Sequence, residues 1–561
     1  MFGGEVRLAY NNNIAFNVGS LTFTSMANFL ADQASAFTVQ LGSGNNRILQ
    51  PSYAVFAQDS FRLKTNFTIN LGLRYTWNAT PSEARGRFTN FDPVTGNLVS
   101  APQPYQQNNL NFQPRVGFAW DPFKDGKTSV RGAYAIMTQE PTTNVVTGLS
   151  ASPPFAIPIA ANSATNNITI ENPSQAVVGT SLGPTAVNSG FDDAYEQDWN
   201  LSVQREITPS LGLEVAYVGM KGTNLQFVQN LNQPFVTNGF YESVRPYLRV
   251  PASSPILPTQ CQAPNPPCPY GTINTVNSGG NSNYNALWVT GTKRLSHGLE
   301  FLASYTYSKS LDYNSLSTGE TYILQNAYNP RGDYGPSEYD ARHRFVLSGF
   351  YQLPFKGNRL VSGWQVGLIT QIQSGNPLNP TLTIGPAPGV SLTVRPNVLK
   401  GSTGTGSPNQ YFSNPVLCEP FNGTPTGGAP ATPPCATTPN AAFAIPCTFS
   451  DVPVSSNPAS PSFKVYPIVP GSCRPGSLGR NTIVGPNFLN TDFSVTKNTK
   501  ITERFNLQFR AEFFDIFNHP NFGDPVLTAT STSFGIIQST RFPTGDFGSA
   551  RQIQFALKLQ F

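Results

Sequence analysis

The sequence is poor in charge and has no long apolar run. Only 12% of its 561 residues are charged, about half of the roughly 25% found in average soluble domains. A large soluble protein needs more charge than this to stay apart from its neighbours. No apolar run reaches the about 18 residues of a membrane-spanning helix. These absences argue against an ordinary soluble protein and against a helical membrane protein.

Basic runs and histidines are also scarce. The net charge is +5, without any Lys/Arg run, and there are three histidines. This gives no support to nucleic-acid binding, so no nucleic-acid partner is expected. Zinc is not expected either, because no C-x-x-C spacing occurs, and the sequence suggests no other cofactor. Disorder is disfavoured by the 12% of aromatic residues, which include 40 Phe and 21 Tyr.

What the sequence does have is apolar residues at every second position. The last residues show it best, because one parity is apolar and the other is Gln, Ala or Lys. Side chains of a strand point to opposite faces in turn, so such a segment has one apolar face and one polar face. The apolar set of this last strand is Ile553, Phe555, Leu557, Leu559 and Phe561.

The same alternation recurs in about sixteen segments, which predicts an all-β chain. The clearest runs from Phe67 to Trp77, and its predecessor from Ser52 to Arg62. The first three candidates are Phe2 to Tyr10, Ile14 to Thr24 and Ala36 to Leu41, with a short helix at Met26 to Ala31. A strand of about 12 residues tilted by about 45° rises near 28 Å, which fits a hydrocarbon core.

The predicted connections alternate between short and long. Tight turns such as Asp125-Gly126 and Ser296-His297-Gly298 join one set of strand ends. Short turns on one side and long loops on the other are typical of a bacterial outer-membrane β-barrel, with the turns in the periplasm and the loops outside. The long connections are Asn78 to Asn111, Thr138 to Ala194, Thr223 to Asn283, Lys309 to Arg342, Gly375 to Asn487 and Asn518 to Gly548.

All six cysteines fall in these long loops and none in a predicted strand. This placement favours disulfides in an oxidising compartment. Sequence neighbours suggest Cys261–Cys268, with the other four paired among themselves, although other pairings and free thiols stay open. Those four are Cys418, Cys435, Cys447 and Cys473.

Five segments resemble the barrel of TonB-dependent outer-membrane transporters of the Oar-like type, and the likeness spans nearly the whole chain. They are Tyr195-Glu-Gln-Asp-Trp-Asn-Leu-Ser-Val-Gln-Arg-Glu206, Tyr217-Val-Gly-Met-Lys-Gly222, Ala303-Ser-Tyr-Thr-Tyr-Ser-Lys-Ser310, Tyr339-Asp-Ala-Arg-His-Arg-Phe345 and the stretch from Arg504 to Phe522, Arg-Phe-Asn-Leu-Gln-Phe-Arg-Ala-Glu-Phe-Phe-Asp-Ile-Phe-Asn-His-Pro-Asn-Phe.

The resemblance implies a transmembrane antiparallel barrel of about 22 strands with an N-terminal plug. Residues 1–561 show no plug, TonB box or signal peptide. We therefore expect a partial barrel, the C-terminal part of a transporter, which would reach the TonB complex through the missing N-terminal region. The alternating residues Phe555, Leu557, Leu559 and Phe561 also resemble the signal that the outer-membrane assembly machinery reads.

Charged and aromatic side chains in the strands and at their ends are expected to have mainly structural roles. The polar positions of the alternation include Arg74, Arg510 and Glu512. These side chains should point into the barrel lumen, either as ordinary water-exposed residues or as contacts to a plug or solute. Tyr75, Trp77, Tyr305 and Tyr307 lie where an aromatic girdle should be. A charge cluster should lie at the outer rim, where ion pairs are favoured over a ligand site; its members are Arg331, Asp333, Glu338, Asp340, Arg342 and Arg344.

No motif predicts an enzyme. The G-x-S-x-G match at Gly179 to Gly183 lies in a Pro/Ser/Asn-rich loop, without the strand and helix that a nucleophile elbow needs. The expected function is uptake of a bulky, unidentified solute across the outer membrane, with membrane lipid around the wall. The alternatives are a passive porin-like channel and a surface adhesin that uses its long loops, for which Arg331-Gly332-Asp333 is a weak hint. A soluble secreted β-protein ranks last.

Overall fold

Fourteen long strands dominate the structure, a computed structural model. It describes residues 1–14, 19–162, 168–171, 182–233, 245–251, 253–255, 268–315, 324–381, 395–398, 404–412, 417–418, 443–445, 478–528, 531, 533–541 and 550–561. The fourteen strands, in chain order, are β1 (Phe2–Asn13), β2 (Asn46–Lys64), β3 (Phe67–Asn78), β4 (Phe112–Trp120), β5 (Thr128–Thr138), β6 (Tyr195–Thr208), β7 (Leu211–Asn230), β8 (Asn274–Ser296), β9 (Leu299–Asp312), β10 (His343–Gln352), β11 (Trp364–Gln373), β12 (Phe488–Lys500), β13 (Asn506–Phe514) and β14 (Gln552–Gln560).

These strands form one antiparallel sheet, here called the wall. Each strand pairs with the next one along the chain, from β1 with β2 to β13 with β14. Among the described residues β1 has no long partner except β2, and β14 pairs only with β13. The prediction of an all-β chain built on a large antiparallel sheet is confirmed, although β1 and β14 do not meet.

The alternation seen in the sequence sets the two faces of the wall. Tyr53 lies opposite Trp77 and Val55 opposite Tyr75, so apolar side chains of β2 and β3 share one face. The rings of Tyr53 and Trp77 lie 5.8 Å apart. Directly opposed residues of an antiparallel pair point to the same side, and a slip of one residue would reverse every side chain. The wall therefore has an apolar outward face and a polar inward face.

Short turns close one end of the wall, which we call the periplasmic end. Between β8 and β9 the turn is His297-Gly298, and both residues have positive φ (52° and 80°). Gly298 is required here, because a Cβ would lie 2.7 Å from the carbonyl oxygen of Gln352. Between β4 and β5 the carboxylate of Asp121 accepts hydrogen bonds from the backbone N–H groups of Lys124 and Gly126.

The opposite ends carry the seven long connections, 14–45, 79–111, 139–194, 231–273, 313–342, 374–487 and 515–551. Their described parts, with the upper ends of the strands, are called the outer cap. It contains the helices α1 (Met26–Leu30) and α2 (Asn144–Ser150) and the 3-10 turn Pro330–Asp333. In the described part of the chain no helix is both long and apolar enough to span a membrane.

Short strands also belong to the outer cap. Three pair with the outer ends of the wall strands β2, β8 and β9: Ser82–Glu83, Thr185–Val187 and Gly335–Pro336. The others form small separate sheets: Ser20–Thr22, Ala36–Gly42 and Ala156–Asn162; Thr89–Phe91 and Leu98–Ser100; Pro377–Leu378 and Ile483–Val484; Asn397–Val398, Leu417–Cys418 and Phe443–Ile445; Gly404–Ser407 and Gln410–Phe412.

Two of the sixteen expected strands do not join the wall. Ala36–Gly42 is a strand, but it pairs with Ala156–Asn162 and with Ser20–Thr22 in a separate three-stranded sheet. The candidate Ile14 to Thr24 contributes only Ser20–Thr22, and its residues 15–18 lie outside the described residues. These segments alternate because one face of their small sheet is buried, around Ala34, Phe37 and Ile168. The expected helix is confirmed as α1.

Candidate functional site: inner face and outer cap

The inward face of the wall carries the charged residues predicted for the lumen. A cavity of ≈ 610 Å³ is lined by residues of six consecutive strands, from β8 to β13, so this face is the concave one. Arg510 and Glu512 line it and lie 3.7 Å apart. Glu300 and Asp492 add two further carboxylates to the same lining. The cavity thus presents mixed charge rather than one sign.

Arg74 lies elsewhere on the inward face, among β1, β2 and β3. Its Nη2 is 2.7 Å from a carboxylate oxygen of Glu5, and its Nε donates to the Oγ1 of Thr76. The sequence did not pair Arg74 with Glu5, because 69 residues separate them. The structure thus places Arg74 apart from Arg510 and Glu512, and the three do not form one site.

The outer cap has its own hydrophobic cores, which the wall lacks. One of them, among the described residues, buries side chains from the starts or ends of wall strands and from two long connections, 79–111 and 139–194. Leu149 of α2 is fully buried in it. Since a shared core fixes the elements that contribute to it, these connections form one packed layer. The core consists of Ile48, Phe88, Ala101, Tyr105, Val145, Val146, Leu149, Val187, Phe191, Val228 and Val276.

A second core joins the connection 231–273 to the same layer. It contains Phe91, Leu98, Ile157, Leu182, Ala186, Val250, Cys268, Tyr270 and Ile273. Asn232, fully buried, holds this connection in place, because its side chain donates to the carbonyl oxygens of Tyr247 and Gly271 and accepts from the N–H of Tyr247. Burial raises the pKa of the Tyr270 hydroxyl.

Cys268 is disulfide-bonded. Its partner is not among the side chains that the structure describes, so the pairing with Cys261 stays a prediction. Cys261, Cys435, Cys447 and Cys473 lie outside the described residues, and only the backbone of Cys418 is described.

The predicted rim cluster is divided between buried and exposed groups. Asp333 is 1% exposed and its Oδ1 lies 2.5 Å from Nη1 of Arg395. Asp340 is also buried and accepts a hydrogen bond from the N–H of Ser310, with Arg342 at 3.7 Å. The remaining members, Arg331, Glu338 and Arg344, are exposed. Burial of Asp333 leaves the Arg331-Gly332-Asp333 segment unsuited to display as an adhesion motif.

A second buried ion pair lies beside the first. Nη2 of Arg480 is 2.6 Å from Oδ1 of Asp312, at the end of β9, and both side chains are almost fully buried. Arg395 and Arg480 both come from the connection 374–487 and bind Asp333 and Asp312 of the neighbouring hairpin. These two contacts, the rim ion pairs, therefore fasten both ends of the 374–487 connection to the cap. The sequence pattern predicted neither arginine.

Asp193 joins the connection 139–194 to both ends of the connection 79–111 at the base of the cap. Its Oδ2 accepts hydrogen bonds from the side-chain amides of Asn78 (2.8 Å) and Asn111 (2.6 Å). All three residues are buried. Burial raises the pKa of the Asp193 carboxyl above its usual range, although both amides act in the opposite direction.

Glu83 shows the reverse balance. Burial raises the pKa of its carboxyl. Hydrogen bonds from the backbone N–H groups of Arg87, Arg47 and Arg85 together lower the pKa by more, so the net pKa is below the ordinary value. Such a carboxylate is ionised and structural. Two buried carboxyl groups of the cap thus have opposite pKa shifts, set by the donors around them.

The described residues contain no cluster of three or more His, Cys, Asp or Glu side chains that could hold a metal. The serine of the G-x-S-x-G match, Ser181, lies outside the described residues. The histidines lie apart, His297 in a periplasmic turn, His343 at the start of β10 and His519 in an outer connection.

Comparison with known families identifies the wall. Residues 1–554 match the profile of the family described as outer membrane beta barrel domain. The chain belongs to this family. The protein is therefore an outer-membrane β-barrel protein, and the predicted location is confirmed. No curated protein matches the sequence.

Solved structures similar to this outer-membrane protein are outer-membrane transporters and receptors. The transporter YddB from Escherichia coli is 10% identical, with 100% of this chain and 51% of that chain covered and a TM-score of 0.49. The ferripyoverdine receptor of Pseudomonas aeruginosa is 9% identical, with coverage of 100% and 54% and a TM-score of 0.38. The FrpB iron transporter of Neisseria meningitidis is 9% identical, with 98% and 55% covered and a TM-score of 0.38. The chain spans about half the length of these proteins.

Proposed function

We propose that the chain forms the wall and outer cap of a TonB-dependent, Oar-like transporter that takes up a bulky solute across the outer membrane. The five segments that resemble such transporters support this, and each contributes residues to a wall strand: β6, β7, β9, β10 and β13. Transport of this kind makes and breaks no covalent bond, so no catalytic residue is proposed.

The observation that carries the proposal is the hydrophobic core shared by neighbouring outer connections. A packed cap holds its surface groups in fixed positions, and preorganisation of this kind reduces the entropy cost of binding a solute. It also holds neighbouring outer connections together instead of leaving them independent. Bound solute would then need a gated step to pass, which is what energy delivered by the TonB complex supplies.

The partners follow from the same proposal. The region that contacts the TonB complex would lie N-terminal to the described wall, in a plug domain. Lipid would surround the outward face, and the assembly machinery would read the alternating apolar residues of β14. Unpaired backbone N–H and C=O groups are costly in lipid. Those of the edge strands β1 and β14 must therefore form hydrogen bonds, either with each other or with further strands.

Barrel insertion can be tested by fractionation and gel mobility. The full chain should remain in outer membranes after carbonate washing, and unboiled samples should migrate differently from boiled ones. Release by carbonate would contradict insertion as a barrel.

A passive porin-like channel is the second candidate, because the concave face of the wall is polar and carries charges of both signs. Liposome swelling separates the two functions. A transporter with a packed cap should not admit small sugars, whereas a porin should give rapid swelling without any TonB complex. If liposomes that contain the full chain swell in small sugars, the transporter proposal is contradicted and the porin function is favoured.

A further inference from the structure

The outward face of β7 and β9 changes character near its outer end. Along β7 the outward residues Leu213, Val215 and Tyr217 are followed by Lys221. On β9 the outward residues Tyr305 and Tyr307 are followed by Lys309. The register shows that both lysines share this face, because Lys221 lies opposite Asn283 and Lys309 lies opposite Asn285, both on β8 between them.

The depth of these lysines matches the outer headgroup layer. Ten residues separate Leu211 from Lys221, which at ~3.4 Å per residue and a tilt of about 45° is a height of roughly 24 Å. This equals the apolar band of an outer-membrane barrel, about 25 Å tall. At the lower boundary Nζ of Lys293 reaches the hydroxyls of Ser210 and Ser296 in the periplasmic turns, 2.6 Å from each.

Aromatic side chains mark the upper boundary on the same strands. Tyr217 donates its hydroxyl to Oδ1 of Asn285 at 2.6 Å, so its polar tip points away from the apolar band. The ring of His343 packs 5.2 Å from that of Tyr307 and forms a 2.8 Å hydrogen bond with the hydroxyl of Tyr305. Aromatic rings with polar tips occupy membrane interfaces, which places Lys221 and Lys309 just outside the hydrocarbon.

Among the described residues, Lys221 and Lys309 differ from two other outward lysines, Lys293 and Lys497, in having no side-chain hydrogen bond or ion pair. Lys293 and Lys497 bond to turn residues at the periplasmic end. Lys221 and Lys309 are exposed, and within the described part of the chain neither forms an ion pair or a side-chain hydrogen bond. No carboxylate lies on the outward face between them, where the intervening residues are Asn283 and Asn285.

We propose that this patch, defined as Lys221, Lys309, Tyr217 and Tyr307, binds the phosphate groups of a phosphorylated lipid headgroup in the outer leaflet. The two lysines are about 12 Å apart, since two strand spacings and two residues separate them. That spacing suits a headgroup with more than one phosphate. Two uncompensated ammonium groups at headgroup depth attract anionic lipid, while the tyrosine rings contact its acyl and sugar parts.

Binding of lipid A to the full chain in detergent micelles tests this proposal. Diphosphorylated lipid A should bind the wild-type chain at least about tenfold more tightly than the same lipid after phosphatase treatment. The double variant Lys221→Gln/Lys309→Gln should lose about that factor. Inorganic phosphate at the same concentration should not compete, because it lacks the anchoring chains.

A matched control removes the same charge from the other end of the wall. Lys124→Gln/Lys356→Gln changes two exposed lysines of periplasmic turns and should leave lipid A affinity unchanged. The difference in mobility between boiled and unboiled samples shows that each variant is folded. Equal binding of lipid A by wild type and Lys221→Gln/Lys309→Gln would overturn the proposal, as would equal affinity for the phosphorylated and dephosphorylated lipids.

Discussion

The wall and the outer cap obey opposite rules of burial. In the wall the apolar side chains point outward; Leu557 of β14 is 69% exposed and Leu73 of β3 is 50% exposed. In the cap the apolar side chains are enclosed, and Leu149, Leu182 and Ile273 are 0% exposed. Lipid covers the outward face of the wall, so the wall needs no core of its own. The cap stands in water and must build one.

Charges differ between the two regions in the same way. The inward pair Arg510–Glu512 is 3.7 Å apart and partly exposed, whereas the rim ion pairs Asp333–Arg395 and Asp312–Arg480 are short and buried. Exposed pairs contribute little to stability, and a buried pair becomes costly when one partner is removed. Sequence changes of the same kind should therefore act very differently in wall and cap.

The largest effect is expected from removing one arginine of a rim ion pair. Arg395→Ala leaves the carboxylate of Asp333 buried without its charged partner, which costs about 3–5 kcal/mol. Hydrogen exchange should rise in residues 324–342, while the wall strands stay protected. Arg331→Ala changes an exposed arginine two residues from Asp333; it is the control and should change stability by less than about 0.5 kcal/mol. Unchanged exchange in Arg395→Ala would show that the pair does not hold the cap.

A leucine truncation compares the two kinds of apolar surface directly. Leu149→Ala in the cap should cost about 3–5 kcal/mol, because it removes buried methyl groups and leaves a cavity. Leu287→Ala on the outward face of β8 should cost about 2 kcal/mol or less, because lipid chains fill the space. Denaturant titrations, followed by protease resistance of the cap and by gel mobility of the barrel, would measure the two. Equal costs would contradict the lipid-facing assignment.

The pH dependence of cap stability should include a contribution from Asp193. Its pKa is raised in the folded protein, so the folded state holds the proton more tightly than the unfolded state. The folded cap then loses stability as pH rises from the ordinary value of 3.8 through the raised pKa. Below pH 3.8 no stability is lost through Asp193, and above the raised pKa the loss is complete.

Asp193→Asn tests this contribution because its amide oxygen can still accept from Asn78 and Asn111. Relative to wild type, the variant should gain cap stability as pH rises through that window and show no difference in strong acid. Asp192→Asn, at the exposed neighbouring residue, should show at most a small part of the effect. A difference that does not vary with pH would rule out the titration of Asp193.

The smallest effect is expected at the inward ion pair of the wall. Glu512→Gln removes the charge that faces Arg510 across 3.7 Å, and partly exposed pairs contribute about 0–1 kcal/mol. Stability should therefore change by less than about 1 kcal/mol, measured by the same denaturant titration. A loss as large as that of Arg395→Ala would mean that a bound segment or solute shields this pair from water.

The wall could be predicted from the sequence because its pattern is local. Alternation with period 2 is visible within one strand, and fourteen of the expected strands appear where the parity placed them. The same pattern placed the strand Ala36 to Leu41 in the wall, although it belongs to a small separate sheet. A strand of such a water-facing sheet alternates as well. Parity alone does not say whether lipid or a packed core covers the apolar face.

The outer cap could be predicted only in part. Asp333 and Asp340 were recognised as rim charges, but Arg395 is 62 residues from Asp333 and Arg480 is 168 residues from Asp312. Neither arginine lies in a periodic segment, so no sequence signal marked it. Asn232 and Asp193 were missed for the same reason, since a buried amide or carboxylate in a loop looks like any other polar loop residue.

Sequence by itself determined the strands, the face of each strand that meets lipid and the end of the wall that carries the long connections. Those properties depend on side-chain alternation and connection length, which neighbouring residues set. Tertiary structure alone decided which loop residues share a core, which arginines neutralise Asp312 and Asp333, and that Lys221 and Lys309 meet at one boundary. These depend on contacts between distant parts of the chain, which exist only after the strands have paired in register.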